Sequence, residues 1–218
     1  MTQNIIKAIE SEKIIAIVRN VKKEKLLNLC QALYDGGIRF VECTFDASGI
    51  TTDTETADKI KLIAENFEGR MTVGAGTVLT EKQVELTKNA GGKFIISPDV
   101  NTDIIKKTKE LGLISMPGAL TPSEITTAHR AGADFIKLFP VNAVGGISYF
   151  KAISAPLSHV KFLAVGGVDE NNIASFIDAG FCGVGIGTGI INKKMLESND
   201  FEGIRKLAEK FVSNSKSV

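Results

Sequence analysis

The sequence predicts a (β/α)8 barrel, and three observations predict it. Short apolar runs recur eight times, an amphipathic stretch follows each of them, and small Gly-rich stops recur at 36–37, 90–92, 131–133 and 179–180. Strands alternating with helices lie parallel in one sheet. Eight such units favour a closed barrel over an open, doubly wound sheet. Glycine accepts the left-handed backbone that ends many helices, so the stops mark where each helix turns back toward the next strand. A chain of 218 residues suits one small barrel, and the expectation is a single domain over 1–218 with no linker inside it.

The elements follow in order. The segment before Ile14 reads as an extra N-terminal helix across the bottom of the barrel. Strands are expected at 14–18, 40–44, 71–75, 94–97, 113–116, 135–139, 161–164 and 183–186. Helices are expected at 23–34, 52–65, 81–89, 103–111, 123–131, 148–153, 170–179 and 201–212. Thr121, Pro122 and Glu124 mark a helix start by a cap, a first-turn proline and an acidic residue. Ile173, Phe176 and Ile177 have the i, i+3, i+4 spacing of a buried helical stripe. The tail after Val212 is polar and is expected to fray. Lys22, Lys23 and Lys25 read as the solvated start of a helix.

Composition narrows the function classes. Hydrophobic residues make up 44% of the chain and charged residues 23%, with a net charge of +1. That balance gives nucleic acid no electrostatic footprint. No apolar run reaches the roughly 18 residues of a membrane span, and the N-terminus lacks the apolar core of a signal peptide. Cys30, Cys43 and Cys182 are an odd number with no metal-binding spacing, as expected of reduced thiols in a cytoplasmic protein. His129 and His159 stand about 30 residues apart, too sparse for a His-rich metal site. No metal or cofactor is expected.

Active sites of such barrels lie at the C-terminal ends of the strands, so polar residues there carry functional weight. Polar residues at strand starts, such as Lys93 and Lys161, read as structural. Lys137 interrupts the apolar run Phe135-Ile136-Lys137-Leu138-Phe139. Strand alternation puts Phe135, Lys137 and Phe139 on one face. If that face looks into the barrel, burial lowers the lysine pKa, and the neutral amine can attack a ketone. A lysine snorkelling to solvent at a strand end is the competing reading. Glu42 interrupts the second strand in the same way, sharing a face with Thr44. It can act as a proton shuttle or simply as an internal ion-pair partner of Lys137.

Glycine-rich turns end the third, seventh and eighth strands: Gly74-Ala75-Gly76-Thr77, Gly166-Gly167, and Gly185-Ile186-Gly187-Thr188. Loops after the seventh and eighth strands are where barrels hold phosphate on backbone amides. The third turn can offer amides and a hydroxyl to a carboxylate. Ile190 stands where a dinucleotide fingerprint needs its third glycine, so that motif is excluded. Arg19, closing the first strand, is either a fork for carboxylate or phosphate or a surface residue.

Taken together, Gly-Gly-Ile-Arg-Phe-Val-Glu-Cys-Thr at 36–44, Val-Gly-Ala-Gly-Thr at 73–77, Ile-Ser-Pro at 96–98, Met-Pro-Gly at 116–118 and Lys-Leu-Phe-Pro at 137–140 resemble the 2-keto-3-deoxy-6-phosphogluconate (KDPG) / 4-hydroxy-2-oxoglutarate (KHG) aldolase family. The resemblance runs from Ile14 to about Lys210. It implies a class I aldolase that needs no metal, usually a homotrimer, cleaving a keto acid to pyruvate and an aldehyde. The keto acid is expected to be phosphorylated. The resemblance also implies that Lys137 forms the Schiff base and that Glu42 is the general acid/base. Thr77 would contact the keto-acid carboxylate. Phe139 would line the pyruvyl pocket with Pro98 at its border, and Gly166, Gly167 and the Thr188 region would hold the phosphate. Thr44, on the face it shares with Glu42, and Arg19 complete the substrate-binding set.

Two positions depart from the family pattern. Asp46 stands where many members carry arginine, and Val165 where many carry threonine. Both bear on the substrate more than on the reaction, and a phosphogalactonate-type relative stays open. So do two rivals of other classes: a phosphate-binding barrel isomerase or synthase, and a non-catalytic sugar-phosphate-binding barrel.

Overall fold

The computed structural model describes residues 2–216. Its strands are β1 (Ile14–Val18), β2 (Phe40–Thr44), β3 (Thr72–Gly76), β4 (Phe94–Ile96), β5 (Ile114–Met116), β6 (Gly118–Ala119), β7 (Ile136–Leu138), β8 (Phe162–Val165) and β9 (Gly183–Ile186). All pairings are parallel, in the order β5-β4-β3-β2-β1-β9-β8-β7-β6. The two ends of that order, β5 and β6, are separated in the chain by Pro117 alone. They are therefore two halves of one barrel stave, and the ring closes through it. The expected eight-stave barrel is present, with its fifth strand split. Proline has no N–H to give the ladder, so pairing cannot run through position 117. The first half pairs with β4 and the second with β7, and the Pro117 carbonyl accepts from Lys137 N at 2.9 Å.

Around the barrel run α2 (Lys23–Asp35), α3 (Asp53–Asn66), α4 (Glu81–Asn89), α5 (Thr102–Glu110), α6 (Pro122–Arg130), α7 (Gly146–Ser154), α8 (Ile173–Asp178) and α10 (Phe201–Ser215). Reciprocal side-chain caps start α3, α4 and α6, at Thr52 with Glu55, Thr80 with Gln83, and Thr121 with Glu124. Alternation along the strands sorts the core into two. The outward residues Val41, Val73, Ile136, Ala164 and Val184 pack under the helices. The inward residues Ile15, Phe40, Phe94, Ile96, Ile114, Met116, Phe135 and Leu163 fill the lower barrel.

The N-terminal helix α1 (Thr2–Glu12) closes that interior from below, as expected. Ile6 and Ile9 join the inner core, each contributing roughly 1.5–3 kcal/mol by burial. Glu10 pairs with Lys161 at 2.7 Å, the structural use expected of a lysine at a strand start. With α1 across the bottom, the buried ionisable groups that point inward, Glu42 and Lys137, stand toward the C-terminal end of the barrel.

Several local expectations are corrected. A short helix not foreseen, α9 (Lys193–Glu197), follows β9. Lys25 is more than a solvated helix start, because its ammonium donates to the carbonyls of Leu196 and Glu197 at 2.8 and 3.1 Å and caps α9. The expected helix at 148–153 is preceded by a 3-10 turn at Val141–Val144 and starts at Gly146. Residues 213–215 do not fray. They continue α10, and Ser215 is buried with its hydroxyl on the Val212 carbonyl. Residues 217–218 of the expected tail lie outside the described residues.

Candidate active site

The open end of the barrel is built from the last inward positions of the strands. On β2 the inward series is Phe40, Glu42, Thr44, and at β7 it is Phe135 then Lys137. Each strand therefore carries one ionisable group one step above an apolar layer. Both are buried, Glu42 at 2% exposure and Lys137 at 8%. The snorkelling alternative for Lys137 is thereby corrected. Beside Glu42 in the sheet stand Ile17 on β1 and Gly74 on β3. A Cβ at Gly76 would overlap the Glu42 carboxyl, so the glycine makes the space that the carboxyl fills.

Burial is the first cause acting on both groups. It raises the Glu42 pKa, opposed by Lys137, Arg19 and the Thr44 hydroxyl, which donates to Glu42 Oε1 at 3.4 Å. It lowers the Lys137 pKa, opposed by Glu42 and helped by Arg19. Each group is thus shifted toward its neutral form. Glu42 Oε2 is buried without a hydrogen-bond partner among the described residues. A closed Glu42–Lys137 ion pair is therefore corrected: the lysine influences Glu42 by its field and makes no hydrogen bond to Oε2. The Lys137 ammonium nitrogen stands 4.5 Å from the centre of the ring of Phe139, an exposed residue.

Arg19 leaves the end of β1 and donates to Thr77 Oγ1 at 3.3 Å, which joins the mouths of β1 and β3. Thr77 has φ 54°, unusual for a β-branched residue. Arg19 also lines a pocket of about 320 Å³ with Phe139, Gly166, Gly167, Val168, Thr188 and neighbouring residues of β9. The structure thus brings Arg19, Phe139, Gly166, Gly167 and Thr188 together in one cavity, with Lys137 adjoining through Phe139. Glu42, Thr44 and Thr77 form the other flank. Pro98 does not line this cavity; its carbonyl packs against Gly118, the partner of Lys137 in the sheet.

In the pocket wall Gly166 and Gly167 have φ of 94° and 88°, open to glycine and strained for other residues. The amides of Gly167, Val168, Thr188 and Gly189 donate to no acceptor among the described residues, and all four residues line the cavity. Such a set of free donors suits an anion. Sequence reasoning missed Ile17, Val168 and Ile191 as lining residues, since apolar side chains carry no chemical signal. It also missed Asn142 and Asn172, which both donate to the Gly167 carbonyl.

Asp46 is turned to another use. Its carboxylate accepts from the backbone and hydroxyl of Ser48 at 2.9 and 2.6 Å and from Thr51 N at 2.9 Å. The Ser48 hydroxyl is the main cause that brings its pKa down to about 2. It organises the loop after β2. Val165 fills the space above Gly185, with a methyl 2.9 Å from where a Cβ would stand. The three thiols are free; burial pushes that of Cys43 up to about 12. The two histidines, distant in sequence, meet edge to face at 4.9 Å. Among the described residues no three His, Cys, Asp or Glu side chains gather as a metal-holding group, and no helix is long and apolar enough to cross a membrane.

Known proteins share this sequence pattern and fold. The family model for KDPG and KHG aldolase matches residues 5–207. The chain is 29% identical over 214 residues to the 2-dehydro-3-deoxy-phosphogluconate aldolase of Haemophilus influenzae, covering 97% of this chain and 96% of that one. It is 34% identical over 176 residues to the 2-dehydro-3-deoxy-6-phosphogalactonate aldolase of Escherichia coli, covering 80% and 82%. Among solved structures, the KDPG aldolase of Legionella pneumophila superposes with a TM-score of 0.84 at 27% identity, over 94% of this chain and 96% of that one. That protein was captured with pyruvate as a covalent carbinolamine.

Proposed function

Because the chain belongs to the KDPG and KHG aldolase family, we propose that it cleaves a 2-keto-3-deoxy sugar acid by a class I, metal-independent mechanism with Lys137 as the Schiff-base residue. The observation that carries this is the pair of buried ionisable groups at the open end of the barrel, Lys137 and Glu42, each shifted toward its neutral form. A neutral amine is the form that attacks a ketone. The carbinolamine of the Legionella relative is the first adduct such an attack produces.

The reaction begins when Lys137 Nζ adds to the C2 ketone, and loss of water leaves an iminium. Glu42, through a water, removes the C4 hydroxyl proton. The C3–C4 bond breaks, and its electron pair moves into the iminium to leave an enamine of pyruvate and a free aldehyde. Protonation of the enamine carbon and hydrolysis of the iminium release pyruvate and regenerate the amine. Arg19 and Thr77 hold the substrate carboxylate, and Thr44 orients Glu42. Phe139 and Pro98 border the pyruvyl group. Gly166, Gly167 and Thr188 hold a distal phosphate on backbone amides.

The substrate is KDPG, KHG or both, and the relatives' names support each. The phosphogalactonate reading is favoured by the relative at 34% identity and differs only in stereochemistry. We further propose one domain over 1–218, a homotrimer, and a cytoplasmic location. A turnover panel tests the function: KDPG, its galactonate isomer and KHG, each followed by pyruvate release. Pyruvate from at least one is expected. Release from none, by folded protein, would leave a non-catalytic sugar-phosphate binder as the better reading.

A further inference from the structure

The 320 Å³ pocket owes part of its shape to residues that do not line it. The Gly167 carbonyl accepts two side-chain amides, Asn142 Nδ2 at 2.8 Å and Asn172 Nδ2 at 2.9 Å. They reach it from different elements: Asn142 from the 3-10 turn after β7, Asn172 from the start of α8. Asn142 also donates its backbone N–H to the Gly166 carbonyl at 3.3 Å. Both carbonyls of the double-glycine turn are thereby held from outside the cavity.

A trans peptide is planar, with its carbonyl and N–H pointing in opposite directions. Holding the Gly167 carbonyl therefore fixes where the Val168 N–H points, and holding the Gly166 carbonyl fixes the Gly167 N–H. Neither N–H has an acceptor among the described residues, and both residues line the cavity. Left alone, a peptide flanked by glycine turns easily, because positive and negative φ are nearly equal in energy for glycine. Two donors on one carbonyl also polarise the peptide and strengthen its N–H as a donor. Gly167 is fitted to this arrangement twice over: its φ is 88°, and a Cβ there would overlap the Asn142 amide.

We infer that Asn142 and Asn172 are positioning residues that hold the Gly167 and Val168 amides in an anion-binding arrangement and so set the preference for phosphorylated over unphosphorylated substrate. The inference rests on the phosphate reading of this pocket given above. It adds two residues that do not line the cavity and that act on it through the double-glycine turn.

Asn142 carries the test, because Asn172 also serves the entry to α8, where its side-chain oxygen accepts from Asp169 N at 2.8 Å. Asn142→Ala and the near-isosteric Asn142→Leu are compared with the parent on KDPG and on KHG, with inorganic phosphate as a competitive probe. The expected result is a KM for the phosphorylated substrate and a Ki for phosphate both raised roughly 3- to 10-fold, the scale of one hydrogen bond, with kcat and the KHG kinetics held within about twofold. Pyruvate-dependent borohydride trapping of the variants shows that the reacting end is still assembled. Equal losses on both substrates would mean general structural damage and would overturn the inference. So would unchanged phosphate affinity. If phosphate fails to compete even in the parent protein, the phosphate reading itself falls and the positioning role falls with it. If phosphate competes equally in parent and variants, only the positioning role is lost.

Discussion

The Glu42 carboxyl lies in the space that a side chain at Gly76 would occupy. The two residues sit on neighbouring strands, and Gly76 does not have a positive φ, so an alanine there is a test of space alone. Gly76→Ala is expected to push Glu42 aside. Overpacking of this kind costs about 1–3 kcal/mol, so the protein should still fold, while kcat falls about 100-fold or more, the scale of a lost acid–base group. A folded Gly76→Ala protein with near-normal turnover would show that the placing of Glu42 is not needed.

Glu42→Gln removes the charge and keeps the shape. Turnover should again fall about 100-fold or more. Stability carries a second reading with a definite sign. The Glu42 pKa is raised in the folded state, so its contribution is fully present below the unfolded value of about 4.3 and is lost as pH rises through the folded value. Gln has no such loss. The melting temperature of Glu42→Gln relative to the parent should therefore climb as pH rises from about 4.3. A difference that shrinks with pH would mean that the carboxylate stabilises the fold.

The rate of the parent protein should show the same pair. Lys137 acts as a neutral amine and Glu42 as a carboxylate, so kcat/KM should rise with pH on its acid side. The apparent pKa values belong to the pair and should fall between the ordinary glutamate and lysine values of about 4.3 and about 10.4. A rate that is flat with pH over that interval would argue against both roles.

Arg19 touches Thr77 and lines the glycine-walled pocket, so it stands between two substrate ends. Arg19→Lys keeps the charge and loses the planar fork. If Arg19 holds the carboxylate, kcat/KM should fall for KDPG and KHG alike, by about 1.5–3 kcal/mol. If it serves the phosphate, the loss should appear with KDPG alone. Unchanged kinetics on both would leave the carboxylate to the backbone near Thr77.

The barrel is legible in the sequence because its signals are periodic. Eight apolar runs, the Gly stops and the Thr121 cap all depend on local spacing, and each has its element in the structure. The split fifth strand is less legible: Pro117 is visible, but that its two sides pair with different neighbours depends on barrel closure. Lys137 and Glu42 stand out as charges inside apolar strands. Asp46 reads as a substrate question, yet its partners Ser48 and Thr51 are close in sequence, and an acid two residues before serine is a common turn signal. Asn142 and Lys25 cannot be placed from sequence. Their acceptors are backbone carbonyls distant in the chain, and a carbonyl leaves no trace in the identity of its residue.

The reaction proposed draws its electron sink from the lysine iminium and needs no metal. Prolonged treatment with a chelator should leave turnover unchanged. Activity lost on chelation and restored by a divalent cation would refute that part of the mechanism.

Trapping the intermediate tests the Schiff-base role of Lys137 most directly. The protein is incubated with pyruvate and borohydride, digested, and the modified peptide is mapped by mass spectrometry. The expected result is a reduced pyruvate adduct on Lys137, and none in Lys137→Met treated alike. An adduct on another lysine, or no adduct on folded protein, would contradict it.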